Sequence, residues 1–380
     1  MKLLIYGSFG VPTGYGRMSS ELVHRLAYKG YQIMGASDVW DGSTPISYND
    51  MAYPCFVAAV GRGRERNVKL GRLCDHFQPD MVLVIQDMTH ACEIYEAAID
   101  WSKTKLAVWT PVDGAPISRR WTKVLAHADL ILSPTLFGQE AFRDAGLDAL
   151  HLPVGIHATQ FSRTLGTKRS EVGISDDTFV LGTMAHNQVR KNIPAMMEVF
   201  NDFARGKDAL YILDMDKRMA LGWDLPDVIT QQGWDASKFR FRSDGFAHLN
   251  MTDRYNLLDA HALLSRREGI GLPMMEAQAC GVISIGVDYC AGAEINGEGR
   301  GFVIPVHDMT TISNWGGARE VYFKAAEFRA VLEFLYDKTE LAEHSRIRNT
   351  GRDWAVSQTW EYTTNRMDDI LRSLGGKNAQ

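Results

Sequence analysis

Short apolar runs alternate with helical patterns along the first 150 residues of the chain. The runs lie at 2–6 (KLLIY), 81–85 (MVLVI), 106–109 (LAVW) and 130–132 (LIL). Between them, apolar residues recur at intervals of three and four, as from about Ser19 to Lys29. Continuous apolar runs of this length are typical of strands buried on both faces of a parallel sheet. The pattern predicts a βα array in this half of the chain.

The same alternation restarts after a mixed polar segment at about 150–173. It predicts further strands at 180–184, 210–214, 239–241, 262–264 and 282–286, and helices at 193–203, 252–258, 272–280 and about 353–374. We therefore expect an α/β protein with two Rossmann-like parallel-sheet domains, at 1–158 and 159–350. A C-terminal helix within 351–380 is expected to cross back to the first domain. Ligands would bind in a cleft between the domains, at the carboxyl ends of the strands.

Composition and charge are those of an ordinary globular protein of 380 residues, 45% of them apolar and 23% charged. The net charge of −5 gives no overall attraction to polyanions. No apolar run approaches the roughly 20 residues that span a bilayer, and the start, MKLLIYGSFGVP, is unlike a signal peptide. The cysteines are odd in number and lack a CxxC pair. We expect a cytoplasmic protein, and set aside membrane-spanning proteins, cystine scaffolds and simple basic nucleic-acid modules.

The segment 265–281 (SRREGIGLPMMEAQACG) is the most informative part of the sequence. It follows a predicted strand, and Pro273 and Gly281 stand where a helix begins and ends. A glycine-rich turn at a helix N-terminus presents backbone N–H groups to an anion. Glu268 lies just before that turn and Glu276 lies one turn inside the helix. Two carboxylates beside a phosphate-sized site suit a nucleotide sugar, although a plain strand-to-helix turn with two surface glutamates has the same composition.

Glu268 and Glu276, with the EGIGLP and EAQACG frame around them, resemble the E-x7-E signature of glycosyltransferase family 4. The likeness extends over 180–308 and more loosely elsewhere, as at 152–161 (LPVGIHATQF), where His157 replaces the family's usual acid. The resemblance implies the GT-B fold and transfer of a hexose from a nucleoside-diphosphate sugar, with retention of anomeric configuration. A UDP-sugar is the expected donor. No metal is expected to be required.

The resemblance also implies roles for individual residues. Glu268 is expected to hold hydroxyls of the donor sugar, and Glu276 to hold the ribose. The turn formed by Gly269, Ile270, Gly271 and Leu272 would face the diphosphate or the sugar. Arg190 and Lys191, in the segment 187–192 (NQVRKN), resemble the family's basic element that neutralises the leaving diphosphate. Many members place these two cations further apart, so an ordinary solvated helix entry stays open as the alternative.

The first half offers a second set of candidates. Gly14, Tyr15 and Gly16, followed by Arg17, lie between a strand and a helix and could approach the diphosphate. Their spacing is not the GxGxxG of a dinucleotide fingerprint. Asp113 follows a strand at the position where many family members have an active-site histidine, so it is expected to bind a sugar or acceptor hydroxyl instead. Asp87 and His90 are further acceptor-side candidates. Simple turn or helix-capping roles are the alternatives for all of them.

Three further signals are weaker. Asp214 and Asp216 form a DxD, a motif that holds a divalent cation in the other large glycosyltransferase fold. Trp354 and Trp360 are expected to pack in the last helix rather than to stack on a sugar. Five basic residues could contact an anionic acceptor such as DNA or a phosphorylated glycan, or else form a solvated face: Arg62, Arg64, Arg66, Lys69 and Arg72.

The sequence thus predicts a retaining hexosyltransferase that acts on a glycan, a lipid-linked glycan or a small molecule. One alternative is a DNA-modifying glycosyltransferase that acts on hydroxymethylated bases. A second is a non-catalytic, nucleotide-sugar-binding partner subunit.

Overall fold

The computed structural model describes residues 1–11, 13–39, 47–48, 55–163, 168–312 and 316–376. The contacts between residues divide the chain into two compact units. Unit 1 consists of Met1–Gly155, Ser313–Ala318 and Thr359–Gln380, and unit 2 of Ile156–Ile312 and Arg319–Gln358. Residues 351–358 thus belong to unit 2, and not to the C-terminal segment that the sequence predicted, because they end a helix of that unit.

Unit 1 is built on an eight-stranded sheet of described residues, in the order β3-β4-β2-β1-β5-β6-β7-β8. All neighbours are parallel except β3 and β4. The elements are β1 (Lys2–Gly7), α1 (Gly14–Tyr28), β2 (Gln32–Ser37), β3 (Ser47–Tyr48), β4 (Cys55–Ala59), α2 (Gly63–Phe77), β5 (Met81–Ile85), α3 (Met88–Tyr95), β6 (Lys105–Trp109), α4 (Arg119–Leu125), β7 (Leu130–Ser133), α5 (Leu136–Asp144) and β8 (Leu150–His151).

Unit 2 is built on a six-stranded, all-parallel sheet of described residues, in the order β11-β10-β9-β12-β13-β14. Its elements are β9 (Phe179–Met184), α6 (Ile193–Phe203), β10 (Ala209–Asp214), α7 (Leu225–Gln232), β11 (Phe239–Phe241), α8 (Met251–Asn256), β12 (Ala260–Leu263), α9 (Leu272–Ala279), β13 (Ile283–Val287), α10 (Ala291–Asn296), β14 (Phe302–Ile304), β15 (Val306–Thr311), β16 (Arg319–Phe323), α11 (Ala325–Tyr336) and α12 (Leu341–Ser357).

The hydrophobic core of each unit forms around its apolar strands. Every residue of β5, β9, β10 and β13 is buried, as expected for strands covered by helices on both faces. In unit 2, aromatic rings of α6 pack on the sheet, with Phe200 and Tyr211 centroids 5.1 Å apart. The order in which the parallel strands alternate with helices confirms the predicted α/β fold of two Rossmann-like sheets.

Two departures from the sequence predictions concern the segments 306–323 and 341–376. The single helix expected at 353–374 is two helices, α12 and then α13 (Trp360–Gly376). Thr359 separates them, since its hydroxyl accepts a hydrogen bond from the backbone N–H of Tyr362 at 3.1 Å and caps the new helix. The strands β15 and β16 form an antiparallel ribbon that the sequence patterns did not predict. Trp360 is buried, and Trp354 stacks under the guanidinium of Arg300, so both tryptophans pack as expected.

Candidate functional site

Two segments of unit 2 meet at the carboxyl edge of its sheet. One follows β9 and carries Arg190 and Lys191, in a short 3-10 turn before α6. The other follows β12 and carries Glu268. Because β9 and β12 are adjacent parallel strands, the segments that follow them lie side by side. The structure therefore brings together three of the residues predicted from the sequence.

Glu268 is the centre of this arrangement. Lys191 Nζ donates a short hydrogen bond to Glu268 Oε2, and Arg190 Nη1 lies 3.6 Å from the same oxygen. Ser265 Oγ donates to it as well, at 2.9 Å. Glu268 is 8% exposed and Lys191 is 7% exposed, so the ion pair is largely withdrawn from water.

Two backbone contacts hold the segments in register. The N–H of Arg266 donates to the carbonyl oxygen of Arg190 at 2.7 Å, and Arg190 Nη1 donates to the carbonyl oxygen of Arg267 at 2.9 Å. These bonds fix the backbone around Lys191 and Glu268 before any ligand arrives. A site held in this way loses little conformational freedom when it binds a ligand.

The charge state of Glu268 follows from its neighbours. Burial on its own would raise the pKa of this carboxyl group. The positive charges of Lys191 and Arg190, together with the hydrogen bonds from Lys191 and Ser265, outweigh burial and lower the pKa to about 2. Glu268 is therefore an anion at neutral pH, able to accept hydrogen bonds but unable to donate a proton.

The predicted glycine turn leads directly into α9. Gly271 caps the helix with φ of 73°, in the left-handed region that favours glycine. A Cβ at this position would lie 2.4 Å from Cε of Met274 and 2.8 Å from Cδ1 of Ile295. Leu272 and Pro273 open the helix. The first N–H groups of a helix have no partner within it, so this end of α9 can bind an anion.

Glu276 lies on α9, one turn beyond its start. Its side chain is 1% exposed, and its Oε2 accepts a hydrogen bond from the hydroxyl of Tyr255 at 2.7 Å. Gly269 is buried beside Glu268, and Ile270 is half-buried. All the candidates predicted in 268–276 thus lie around the beginning of one helix.

No sequence pattern pointed to His261, which lies on β12. Its Nε2 accepts the N–H of Met184 at 3.3 Å. Burial, and then the charge of Lys191, lower its pKa to about 3, so the ring is neutral. A lone histidine in an apolar strand has no local signature, whereas Ser265, which bonds Glu268, lies inside the recognised motif.

In unit 1, the segment before α1 has a compact structure. The hydroxyl of Thr13 accepts the N–H of Gly16 at 3.1 Å and caps the helix at Gly14, earlier than the apolar periodicity predicted. A Cβ on Gly16 would lie 2.0 Å from the carbonyl oxygen of Val11, so only glycine fits. The hydroxyl of Tyr15 donates a short hydrogen bond to Asp87, which joins this segment to the residue that follows β5.

Other acceptor-side candidates also lie at the carboxyl edge of the first sheet. His90 Nε2 lies 3.5 Å from Oδ2 of Asp38, a residue that follows β2 and that the sequence analysis missed. The hydrogen bond with Asp38 is the main cause of the raised pKa of His90, and burial opposes it. Asp113 is half-buried in the loop after β6, and Arg17 is half-buried on α1.

The basic cluster on α2 is only partly available to a ligand. Arg66 is 3% exposed, and its guanidinium pairs with Glu93 at 2.8 Å, so its predicted place on an anion-binding surface is wrong. Its long aliphatic stem and a distant acidic partner allow it to be buried, and neither is visible locally. Lys69 pairs with Glu65 at 2.7 Å, while Arg62, Arg64 and Arg72 are exposed.

The DxD aspartates occupy dissimilar environments. Asp214 is 2% exposed and is held by Arg242 at 2.5 Å and by Arg254 at 3.2 Å. Asp216 is exposed. Among the described residues, no group of three or more His, Cys, Asp or Glu side chains is placed to hold a metal ion. No helix in the described ranges is long and apolar enough to cross a membrane.

Solved structures with the same architecture define the class of fold. A sucrose-phosphate synthase from Thermosynechococcus elongatus matches with a TM-score of 0.77 and 13% identity, over 99% of each chain. Anabaena Alr3699/HepE, determined with UDP and glucose, matches with a TM-score of 0.75 and 15% identity, over 98% of this chain and 100% of that one. A glycosyltransferase from Rickettsia africae matches with a TM-score of 0.75 and 12% identity, over 98% of each. The chain has the GT-B fold.

A family comparison matches one part of the chain. Residues 246–314 match the family model described as Glycosyl transferases group 1. This segment contains Glu268, Glu276 and the glycine turn between them. No curated protein matches the sequence. The resemblance to glycosyltransferases of the GT-B fold that the sequence suggested is supported by this match, and the GT-B fold itself is confirmed.

Proposed function

We propose that this glycosyltransferase transfers a hexose from a nucleoside-diphosphate sugar to a hydroxyl group, with retention of anomeric configuration. The observation that carries the proposal is the buried Lys191–Glu268 pair beside the N-terminus of α9. An anion that accepts hydrogen bonds, a cation and a helix N-terminus together suit a ligand with both hydroxyls and phosphates. The group 1 family match over the same residues supports this choice.

A UDP-sugar is the proposed donor. Support comes from the similar HepE structures, which were determined with UDP, with UDP and glucose, and with UDP-glucose. In this proposal Glu276, bonded to Tyr255, accepts hydrogen bonds from the ribose. Glu268 accepts them from hydroxyls of the sugar, which its low pKa favours because an ionised carboxylate is a strong acceptor.

The leaving diphosphate would be stabilised by cations and backbone N–H groups. An ammonium group has three donors, so Lys191 can keep its bond to Glu268 and still donate to a phosphate oxygen. Charge on the diphosphate grows as the glycosidic bond breaks, and a preorganised cation therefore stabilises the transition state more than the bound donor. Arg190 and the turn from Gly269 to Leu272 would share this role, without a metal ion.

Retention would follow from attack on the same face of the sugar that the diphosphate leaves. The leaving phosphate oxygen then takes the proton of the acceptor hydroxyl, so no protein base is required. In unit 1, Asp113 would bind a hydroxyl group of the acceptor or of a sugar, and Gly14, Tyr15 and Gly16 would offer backbone N–H groups to an anion. The acceptor is proposed to be a glycan, a lipid-linked glycan or a small molecule.

Donor turnover with a panel of labelled nucleotide sugars tests this proposal. We expect release of the nucleoside diphosphate from one donor, and a loss of at least roughly a hundredfold in turnover for Lys191→Ala with little change in KM. Glu298→Gln is the matched control, because Glu298 pairs with Arg300 in the same unit and its side chain is 81% exposed. A purified protein that binds but never cleaves any donor would instead favour the non-catalytic subunit.

A further inference from the structure

A second polar cavity lies at the opposite edge of the unit 2 sheet. It measures about 540 Å³, within the range of small-molecule sites. Asp259 and Val282, which directly precede β12 and β13, form part of its wall. The donor candidates follow the carboxyl ends of the same sheet. A four-residue strand such as β12 separates the two edges by roughly 13 Å, so this cavity is distinct from the proposed donor site.

Two arginines from separate parts of unit 2 converge in this cavity. Arg163 follows Phe161 and Ser162, and Arg348 lies on α12. Their Cδ atoms lie 3.4 and 3.8 Å from the position that a Cβ on Gly281 would occupy. Within the described ranges, neither guanidinium has a hydrogen-bond or ion-pair partner. The side chains therefore place two like charges in one cavity.

The third arginine of the cavity is already satisfied. Arg169 donates to the carbonyl oxygens of Leu257, Asp176 and Thr178, and pairs with Asp259 at 3.0 Å. The carboxylate of Asp259 also accepts a hydrogen bond from the backbone N–H of Val180 at 2.8 Å. Its oxygens are therefore already bonded to Arg169 and Val180. Asp176 is the other acid in the wall. The charged side chains of the lining sum to three arginines against two aspartates, with Arg163 and Arg348 left unpaired.

The electrostatics of Arg348 agree with this geometry. Burial lowers its pKa, the nearby charge of Arg163 lowers it further, and Asp259 opposes both. Arg352 lies one helical turn further along α12, on the side of Cys280, and adds positive potential. Arg348 is half-buried and Arg163 is exposed. Keeping these two like charges together costs free energy that a bound anion would recover.

We propose that Arg163 and Arg348 form a binding site for a small phosphate-bearing molecule. A guanidinium group can donate two parallel hydrogen bonds to phosphate oxygens. Two such groups on different elements can therefore bind one phosphoryl group together. The cavity leaves room beyond that group for a body the size of a sugar. Ser170 in its wall offers a polar contact to such a body.

Titration calorimetry of the full chain with inorganic phosphate, at constant ionic strength maintained with chloride, tests this site. We expect saturable binding that weakens roughly tenfold or more in Arg348→Gln and in Arg163→Gln. Arg346→Gln is the matched control, because this neighbour on α12 pairs with Glu343 at 2.5 Å outside the cavity. Its affinity for phosphate should equal that of the unsubstituted protein.

Thermal unfolding supplies a second readout. Phosphate should raise the melting temperature of the unsubstituted protein and of Arg346→Gln, but not of the two cavity variants. In phosphate-free buffer, Arg163→Gln should unfold at or above the temperature of the unsubstituted protein, since it removes a like-charge contact. Phosphate binding that survives both cavity substitutions, an absence of specific phosphate binding, or a destabilised Arg163→Gln would each overturn the proposal.

Discussion

At the scale of single residues, the buried Glu268–Lys191 pair carries most of the chemistry. Such a pair is costly to break, because removing one partner leaves the other charge buried without compensation. Its net contribution also depends on pH. The pKa of Glu268 in the folded protein, about 2, lies below the ordinary value of 4.5. The pair therefore contributes fully above about pH 4.5, and its contribution is lost as the pH falls towards 2.

Glu268→Gln should lower the free energy of unfolding by about 3–5 kcal/mol at neutral pH, since Lys191 loses its buried partner. The difference between the two proteins should shrink steadily below about pH 4.5, as the linkage between protonation and folding requires. Urea unfolding at a series of pH values measures it. The exposed Glu298→Gln should stay within about 0.5 kcal/mol throughout. A difference that does not change with pH would contradict the ionised, paired state of Glu268.

Tyr255 is the residue through which the position of Glu276 can be tested. Tyr255→Phe removes the hydroxyl that donates to Glu276 Oε2 and should weaken donor binding by about 1 kcal/mol, roughly fivefold, with kcat unchanged. Tyr31→Phe is the matched control, because it loses a comparable 2.7 Å bond to Asp368 in unit 1. Titration calorimetry with the donor measures the donor affinity of each variant. Equal donor affinities in both variants would argue against Glu276 as a ribose ligand.

At the scale of elements, the junction between α12 and α13 depends on one side chain. Thr359→Ala removes the oxygen that accepts the N–H of Tyr362, and should destabilise the protein by about 1 kcal/mol. Thr359→Ser keeps the hydroxyl and should retain most of the stability. Chemical denaturation of the three proteins measures the effect. An alanine variant as stable as the serine variant would show that packing, and not the cap, ends α12.

The elements also show what sequence patterns can and cannot predict. The helix at 193–203 and the strand at 239–241 were predicted with the bounds they have, because apolar periodicity and burial coincide there. The break at Thr359 was missed because apolar residues continue at helical spacing across it. The ribbon of β15 and β16 was missed because β15 is largely exposed and so lacks an apolar run.

At the candidate site, the sequence predicted residues that lie in recognisable motifs and missed those without a local signature. Glu268 and Glu276 lie within one strand–turn–helix segment, and Arg190 and Lys191 lie in a second short motif. His261 and Asp38 reach their positions through strands whose sequences show only burial. Arg66 was misassigned because Glu93, which pairs with it, is 27 positions away in the chain.

At the scale of the whole molecule, the distribution of charge favours a metal-independent reaction. Asp214 is already neutralised by two arginines, while cations and a helix N-terminus surround Glu268. We therefore expect EDTA to leave donor cleavage largely intact, within about twofold, because no divalent cation would be needed to stabilise the diphosphate. Initial rates with and without EDTA check this. A loss of activity that Mn²⁺ restores would place Asp214 and Asp216 in the reaction.

The central claim, retaining transfer from a nucleotide sugar, is tested most directly by the anomeric configuration of the first product. Proton NMR of UDP-glucose hydrolysis, followed faster than the sugar mutarotates, reports it when the chain cleaves this donor. Because the donor is an α-glucoside, our account predicts α-glucose as the initial product, formed at a rate that falls sharply in Lys191→Ala. Initial formation of β-glucose would contradict retention and the front-face role assigned to the leaving phosphate.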